Sequence, residues 1–324
     1  MAMQGITRAN FGQHFMPVVW NHVDMAYGSA ESEYDGIFKT QKTSKAAEYA
    51  LYTSGLGAAS LYNEMESLPM DRAAELGTSR VVMEKVGLGF ALSFETVDDE
   101  QAESVNTILS KLSEGVGKGM MAACNQRAFL LLNEATTAGR TYYDGKVLAA
   151  TDHPMSNGQT INNYTTNEMS ETSVKDALIW VMNLKDDRGL PAGLKVKSLV
   201  TTKENTFRAK EIFDSPMSTT LATVNASGAE NATSGVVAAS NTNRKNAIQG
   251  TIPSGVSTTN YLTNSKAWGV LTDSSNGFVH FDRKPKTNRD WTVDGQEYHV
   301  YGAHLRDAFY CADPARAIYW ANPA

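Results

Sequence analysis

Only two cysteines, Cys124 and Cys311, occur among the 324 residues. They stand far apart among apolar neighbours, which predicts buried, reduced thiols in a cytosolic product rather than a disulfide. No run of 18 apolar residues exists, so no membrane span is indicated. The start, Met1-Ala2-Met3-Gln4-Gly5, lacks the charged-then-apolar layout of a signal peptide. Without secretion, the acceptor triplets at Asn163, Asn225 and Asn231 carry no glycosylation meaning. There is no long basic run, and 29 basic against 35 acidic residues leave a net charge of −6. Nothing in that balance suggests a protein that seeks nucleic acid by charge attraction.

The motifs of common chemistry are missing as well. A phosphate loop needs Gly, four residues, Gly-Lys and then a hydroxyl. Gly139 to Lys146 has one residue too many and Val147 in the hydroxyl position. Gly55-Leu56-Gly57 and Gly87-Leu88-Gly89 begin a dinucleotide fingerprint but place Ser60 and Leu92 where the third glycine belongs. Asp152-His153 would be half of a hydrolytic triad, yet no Gly-x-Ser-x-Gly elbow supplies the nucleophile. His14 with His22 and Asp24, and His280 with Asp282, lack further ligands at metal-site spacing. Each of these histidines reads as solvated or structurally bonded. No aromatic residues interleave with basic ones in a cluster. No catalytic, cofactor-binding or metal-ligating residue is expected, and the chain is not read as an enzyme.

What the chain does have is a long helical pattern from Thr96 to Ala138. Val105, Ile108, Leu109, Leu112, Val116, Met120, Ala123 and Leu131 recur at three- and four-residue steps, one face of a helix. Thr96 serves as N-cap, and Asp98, Asp99 and Glu100 put negative charge in the first turn, where the dipole favours it. Thr136-Thr137-Ala138-Gly139 is the stop. A continuous element of that length would be about 60 Å long and suits an extended, mechanical protein. Gly115, Gly117 and Gly119 interrupt it, each unfavourable by about 0.5–1 kcal/mol relative to Ala. Two explanations stand: close packing or a break there, or a hinge between two shapes.

Elsewhere the pattern is mixed. Residues 1 to 50 carry Phe11, Phe15, Val18, Val19 and Trp20, while Pro17, Gly28 and Gly36 break any regular pattern. Such a segment would be an arm across a neighbour or would pack on its own domain, with a short helix at Ala46–Leu51. Residues 52 to 94 read as a long hairpin, its returning strand running from Thr78 through Val86 to Phe94 with alternate residues apolar. A lone two-stranded hairpin is marginal in water, so it lies on its own domain or on another subunit. Asp144-Gly145 reads as a tight turn between short strands, the second ended by Pro154. A helix over 170–185, a strand over 194–200 and a helix over 204–213 follow. Ser218 to Asn243, rich in Ala, Ser, Thr and Asn, is a surface loop. Strands at 268–273, 277–285 and 297–310 and a last one at 317–320 close the chain.

Asp144-Gly145-Lys146, a short apolar or small spacer, and Thr151-Asp152-His153-Pro154 resemble a stretch of the major capsid proteins of tailed bacteriophages. The likeness is closest to the major head subunits of Mu-like phages. Helix, tight turn, strand and helix over 170–213 are similar to the axial domain of those proteins, and the late strands are similar to those that return beside their long helix. The resemblance covers most of the chain from about residue 50.

It implies an α+β chain with the Hong Kong 97-type fold. Residues 1–50 would be an N-terminal arm and 51–94 an extended-loop hairpin reaching over a neighbour. Residues 95–139 and 277–324 would form a peripheral domain with the long spine helix, and 140–276 an axial domain around the capsomer axes. The implied function is self-assembly into hexamers and pentamers of an icosahedral head, assembled in the host cytoplasm, that encloses double-stranded DNA through non-specific contact. A portal, a separate scaffolding protein (no scaffolding segment precedes the arm) and in some members a cement protein are the implied partners, with no membrane and no covalent cross-link. A mildly acidic chain suits an inner wall that does not grip phosphates. The rival readings are an encapsulin-like nanocompartment shell, an oligomeric hydrolase using Asp152-His153 and, more remotely, a tail-tube protein.

Overall fold

A computed structural model describes residues 8–93, 102–215, 246–274, 277–292 and 298–323. Thr96, the acidic turn after it and the Ser218–Asn243 loop lie outside the described residues. The chain divides into two compact units.

The first unit combines Met1–Glu48, Arg80–Phe129 and Val279–Tyr310. Helix α1 spans Arg8–Ser29 and carries Pro17 and Gly28 inside it, so the reading of this segment as irregular is corrected. Val19, Val23 and Ala26 repeat at helical spacing and are buried, and tertiary packing of that face outweighs the local cost of the two breakers. Strands β1 (Lys39–Lys42), β4 (Glu84–Ser93), β11 (Phe278–Thr292) and β12 (Tyr298–Cys311) form one sheet in the order β1-β11-β12-β4. β1 runs parallel to β11 from Lys39↔Val279 to Lys42↔Asp282. β12 runs antiparallel to β4 from Tyr298↔Ser93 to Asp307↔Glu84.

The long helix, α2, covers Ala102–Asn133, 32 residues and therefore about 48 Å at 1.5 Å per residue. It is unbroken through its glycines. A Cβ on Gly117 would meet the Val23 carbonyl oxygen at 2.6 Å and the Tyr27 amide at 2.8 Å, and one on Gly119 would meet Leu88 Cδ2 at 2.7 Å. The close-packing explanation accounts for these two positions: the missing side chains let α1 and β4 approach the helix. Val19, Leu109 and Tyr301 form a small core there, flanked by Trp20, Phe90 and Leu92, with Phe90 stacked on Tyr301 at 5.4 Å.

Strands β2 (Ala47–Thr53) and β3 (Glu75–Val82) make a separate two-stranded ladder. The short helix expected at Ala46–Leu51 is therefore a strand. Its cross-strand partner overrides the helix preference of the alanines, as pairing commonly overrides propensity. The returning arm expected to run unbroken from Thr78 to Phe94 is two strands. At Met83 the amide donates to the Ala46 carbonyl and the buried side chain joins Val81 and Ala308, after which β4 pairs with β12.

The second unit combines Tyr49–Ser79, Leu130–Phe278 and Cys311–Ala324. Its small strands are β5 (His153–Pro154), β6 (Thr160–Ile161) and β7 (Tyr164–Thr165), and its main strands β8 (Val196–Thr202), β9 (Val256–Thr259), β10 (Trp268–Thr272) and β13 (Ile318–Ala321). The principal sheet runs β7-β13-β10-β8-β9. Helices α3 (Glu171–Met182) and α4 (Thr206–Phe213) cover it, and the very short α5 (Pro314–Ala317) precedes β13. A reciprocal Ser170–Ser173 capping box starts α3. The core between layers holds Val174, Ala177, Val181, Leu199, Ile212, Trp268 and Val270. The expected turn is present at Asp144-Gly145, with Gly145 at φ +74° and its amide donating to the Tyr142 carbonyl at 3.0 Å. The flanking residues are not strands. The C-terminal strand pairs with β10 and β7, so residues 311–323 group with 130–278, whereas the resemblance put them with the long helix.

Candidate assembly surface

The hairpin connection at residues 54–74 exposes several large apolar side chains. Leu61 and Met65 are fully exposed, at 104% and 102%, and Met70 at 87%; Leu56, Tyr62 and Leu68 are more than half exposed. Scattered exposed apolar residues are ordinary, but a contiguous set on one projection marks an interaction surface. Met65 sits at φ +73°, a left-handed conformation that a methionine rarely adopts and that commonly marks a constrained or functional turn.

The connection is nonetheless held in shape by polar groups. The Asp71 carboxylate accepts from the Gly57 amide at 2.7 Å and the Arg72 amide at 2.8 Å. Those two amides first, and Arg188 next, hold its carboxyl below the usual range. The Glu66 carboxylate accepts from the Asn63 amide at 2.8 Å, which lowers it likewise. The Ser54 amide donates to the Ala74 carbonyl at 2.8 Å and the Ala74 amide to Ser54 Oγ at 2.8 Å, closing the root.

Arg188 grips that root. Its Nε donates to the Gly55 carbonyl at 3.1 Å, and its Nη2 donates to the Arg72 carbonyl and, at 3.4 Å, to Asp71. The turn presenting it is built by Asp186, whose Oδ1 accepts from the Arg188 and Leu190 amides at 2.9 Å each. Gly189 completes it at φ +88°, a conformation that favours glycine. Beside it, Tyr52 stacks on Tyr143 with ring centroids 3.8 Å apart. Asp187 accepts from Arg316 at 2.6 Å. From the sequence, Asp187–Pro191 reads only as a helix ending. Backbone carbonyls at 55 and 72 leave no signature that would single Arg188 out.

The rejected chemical candidates with described side chains have structural partners; the side chain of His14 lies outside the described residues. His153 is fully buried at 0%; its Nδ1 lies 2.6 Å from Asp144 Oδ2. Asp152, its sequence neighbour, instead pairs with Lys146 at the surface. His280 Nε2 lies 3.2 Å from Asp307, not Asp282, and its Nδ1 3.3 Å from Thr40. His22 lies 3.4 Å from Ser110 Oγ, and Asp24 accepts from Lys286 and Asn288. Among the described residues no group of three or more His, Cys, Asp or Glu is placed to hold a metal, and no helix is long and apolar enough to cross a membrane. Both cysteines are free and buried, and burial pushes the Cys124 thiol up to about 12.

No protein-family model matches the sequence, and no curated protein does. Solved structures do. A virus-like particle from Pyrococcus furiosus aligns over 95% of this chain and 99% of that one, with TM-score 0.54 and 6% identity. The capsid of an empty GTA particle aligns over 90% of both chains, with TM-score 0.52 and 12% identity. Microbacterium phage Oxtober96 aligns over 91% of this chain and 92% of that one, at 0.51 and 10%. The chain has the Hong Kong 97-type capsid fold.

Proposed function

We propose that this protein is the major shell subunit of a tailed-phage head, assembling as hexamers and pentamers into an icosahedral container for double-stranded DNA. One observation carries the reading. A chain with a capsid fold over nearly its whole length holds out a hairpin whose connection leaves Leu61, Met65 and Met70 in solvent. Its local hydrogen bonds define the connection's shape while leaving its apolar side chains uncovered. A closed shell, in which each subunit offers the same projection to the next, covers such side chains many times over.

The resemblance supplies the division used in this reading, an arm at 1–50, an extended loop at 51–94, a peripheral domain at 95–139 and 277–324 and an axial domain at 140–276, except that residues 311–323 go with the axial part, where the last strand pairs. A portal, a scaffolding protein and in some shells a cement protein are the further partners supplied by the resemblance, and the virion is the location. The role is structural. A hydrolase built on His153 is disfavoured by an imidazole with no exposure to a substrate. An encapsulin-like nanocompartment shell enclosing protein is the second reading; the structure aligned over 99% of its own chain is a virus-like particle rather than a phage head.

Negative-stain microscopy of the purified protein tests the proposal. Closed particles of uniform size are expected, and a protein that stays monomeric at every concentration overturns it. Nuclease-protected DNA inside the particles supports the head, and copurifying protein cargo supports the nanocompartment.

A further inference from the structure

Successive residues of a strand point to opposite faces. Along β12, Tyr301, Ala303, Leu305 and Asp307 are buried, while Gly302, His304 and Arg306 alternate with them and share the other face. Their partners on β4 are Gly89, Gly87 and Lys85. The Lys85↔Arg306 pair therefore sets two cations directly opposite each other, an arrangement that destabilises a sheet. Arg306 Nε is buried with no hydrogen-bond partner. Neither residue has an acidic partner among the described residues, and neither has Arg289 on β11. Like charges juxtaposed around a buried donor without a partner give the place an affinity for anions.

The space for one is there. Lys85, Arg289, His304 and Trp291 line an open cleft of about 390 Å³. Its floor is glycine: Gly87, Gly89 and Gly302 put no side chain between a ligand and the sheet. A Cβ on Gly302 would lie 3.6 Å from Trp291 Cη2, so the half-exposed indole sits over that glycine as a flat apolar surface. Desolvation first, and then the charges of Arg289, Lys284 and Lys85, hold His304 below its ordinary value, an independent mark of positive potential. The net charge of −6 is a sum and hides this local concentration.

We propose that this cleft binds the phosphate backbone of nucleic acid, with Lys85 and Arg289 of its lining on phosphates, Arg306 on a phosphate at its edge beside Lys85, and Trp291 against sugar or base. The acidic hairpin connection of a second copy is the competing anion. Its Glu66 and Asp71 carboxylates are already held by their own loop's amides, which leaves Glu64 to answer three cations. A cleft much larger than a carboxylate and flanked by an indole fits a nucleotide strand better. The proposal deepens the shell reading, on which it rests for the identity of the enclosed polymer.

Fluorescence anisotropy of the full chain with a labelled duplex of about 20 base pairs tests it, because three phosphate contacts give a log–log salt slope of about −2.7. Raising salt from about 50 to 200 mM should then weaken binding about 40-fold. Arg289→Gln should make the slope shallower by about one, and Lys85→Gln with Arg306→Gln by about two, while Lys210→Gln on the second unit leaves it unchanged. No binding at low salt overturns the proposal, as does binding that these substitutions leave intact. If the double variant fails to fold, the exposed Arg289 decides alone. Variants that bind DNA normally but no longer form particles would assign the cleft to a neighbouring copy. Wild-type protein that binds DNA in this way but never forms particles would instead defeat the shell reading alone.

Discussion

On the side of the first unit's sheet turned to the long helix, Asp307 is buried and shared by Arg127 and by His280 at 3.2 Å. Glu84 takes a second Arg127 nitrogen at 2.9 Å, and Lys286 reaches Asp24. On the side turned away, Lys85 and Arg306 face each other without an acid. The difference follows from water. A charge removed from solvent has to be met within the protein, whereas the exposed Lys85 and Arg289 can remain hydrated until a ligand arrives. The covered face is thus organised for stability and the open one for binding.

The hardest blow to that contrast falls on Asp307. Asp307→Ala leaves a largely buried guanidinium with only the exposed Glu84 and removes the partner of His280, so the unassembled chain should lose about 2–4 kcal/mol in urea unfolding. Asp307→Asn, which keeps an acceptor oxygen, should lose less. A loss below about 1 kcal/mol for Asp307→Ala would mean that pairing on the covered face contributes little beyond surface salt bridges, and the comparison would fail.

Two glycines of the long helix sharpen it at smaller scale. Replacing Gly by Ala inside an open helix gains about 0.5–1 kcal/mol. Gly115→Ala should show that gain, since a Cβ there meets nothing within 4 Å. Gly117→Ala should instead cost about 1–3 kcal/mol, as overpacking does, because the atoms it meets are backbone groups of α1. Equal midpoints for the two variants would show that α1 does not pack tightly against the helix.

Much of this was legible in the sequence, and the parts that were not share a cause. The helix at 102–133 announced itself through apolar spacing, and α3 through its inward face, because both depend on periodicity within one segment. Helix α1 did not, since Pro17 and Gly28 are local signals and its burial is tertiary. His153 and Asp152 are adjacent in sequence, yet Asp152 turns to Lys146 at the surface, and the partner of His153, Asp144, lies across a turn. His280 was matched to Asp282, whereas Asp307 reaches it from the next strand. Lys85, Arg289 and Arg306 are scattered along the chain, and only strand register brings them to one face. The hairpin itself could be read, but not the Arg188 grip on its root.

The smallest effect concerns His304 on the open face. Its ordinary value is 6.5, and desolvation together with Arg289, Lys284 and Lys85 lowers it in the folded chain. Below about pH 6.5 the unfolded chain therefore binds a proton that the folded chain resists, and stability falls as the solution is acidified. Above that pH both states are neutral at this site and the contribution is fully present. His304 lies near solvent, so screening keeps the effect small. The wild type should lose slightly more thermal stability than His304→Gln between about pH 7.5 and 5.5, with the difference shrinking in high salt. Arg289→Gln should reduce the same difference, because it removes part of the field without touching the imidazole. Identical pH profiles for wild type and His304→Gln would mean that the open face carries no concentrated positive potential. The contrast between the two faces would then reduce to the ion pairs on the covered side.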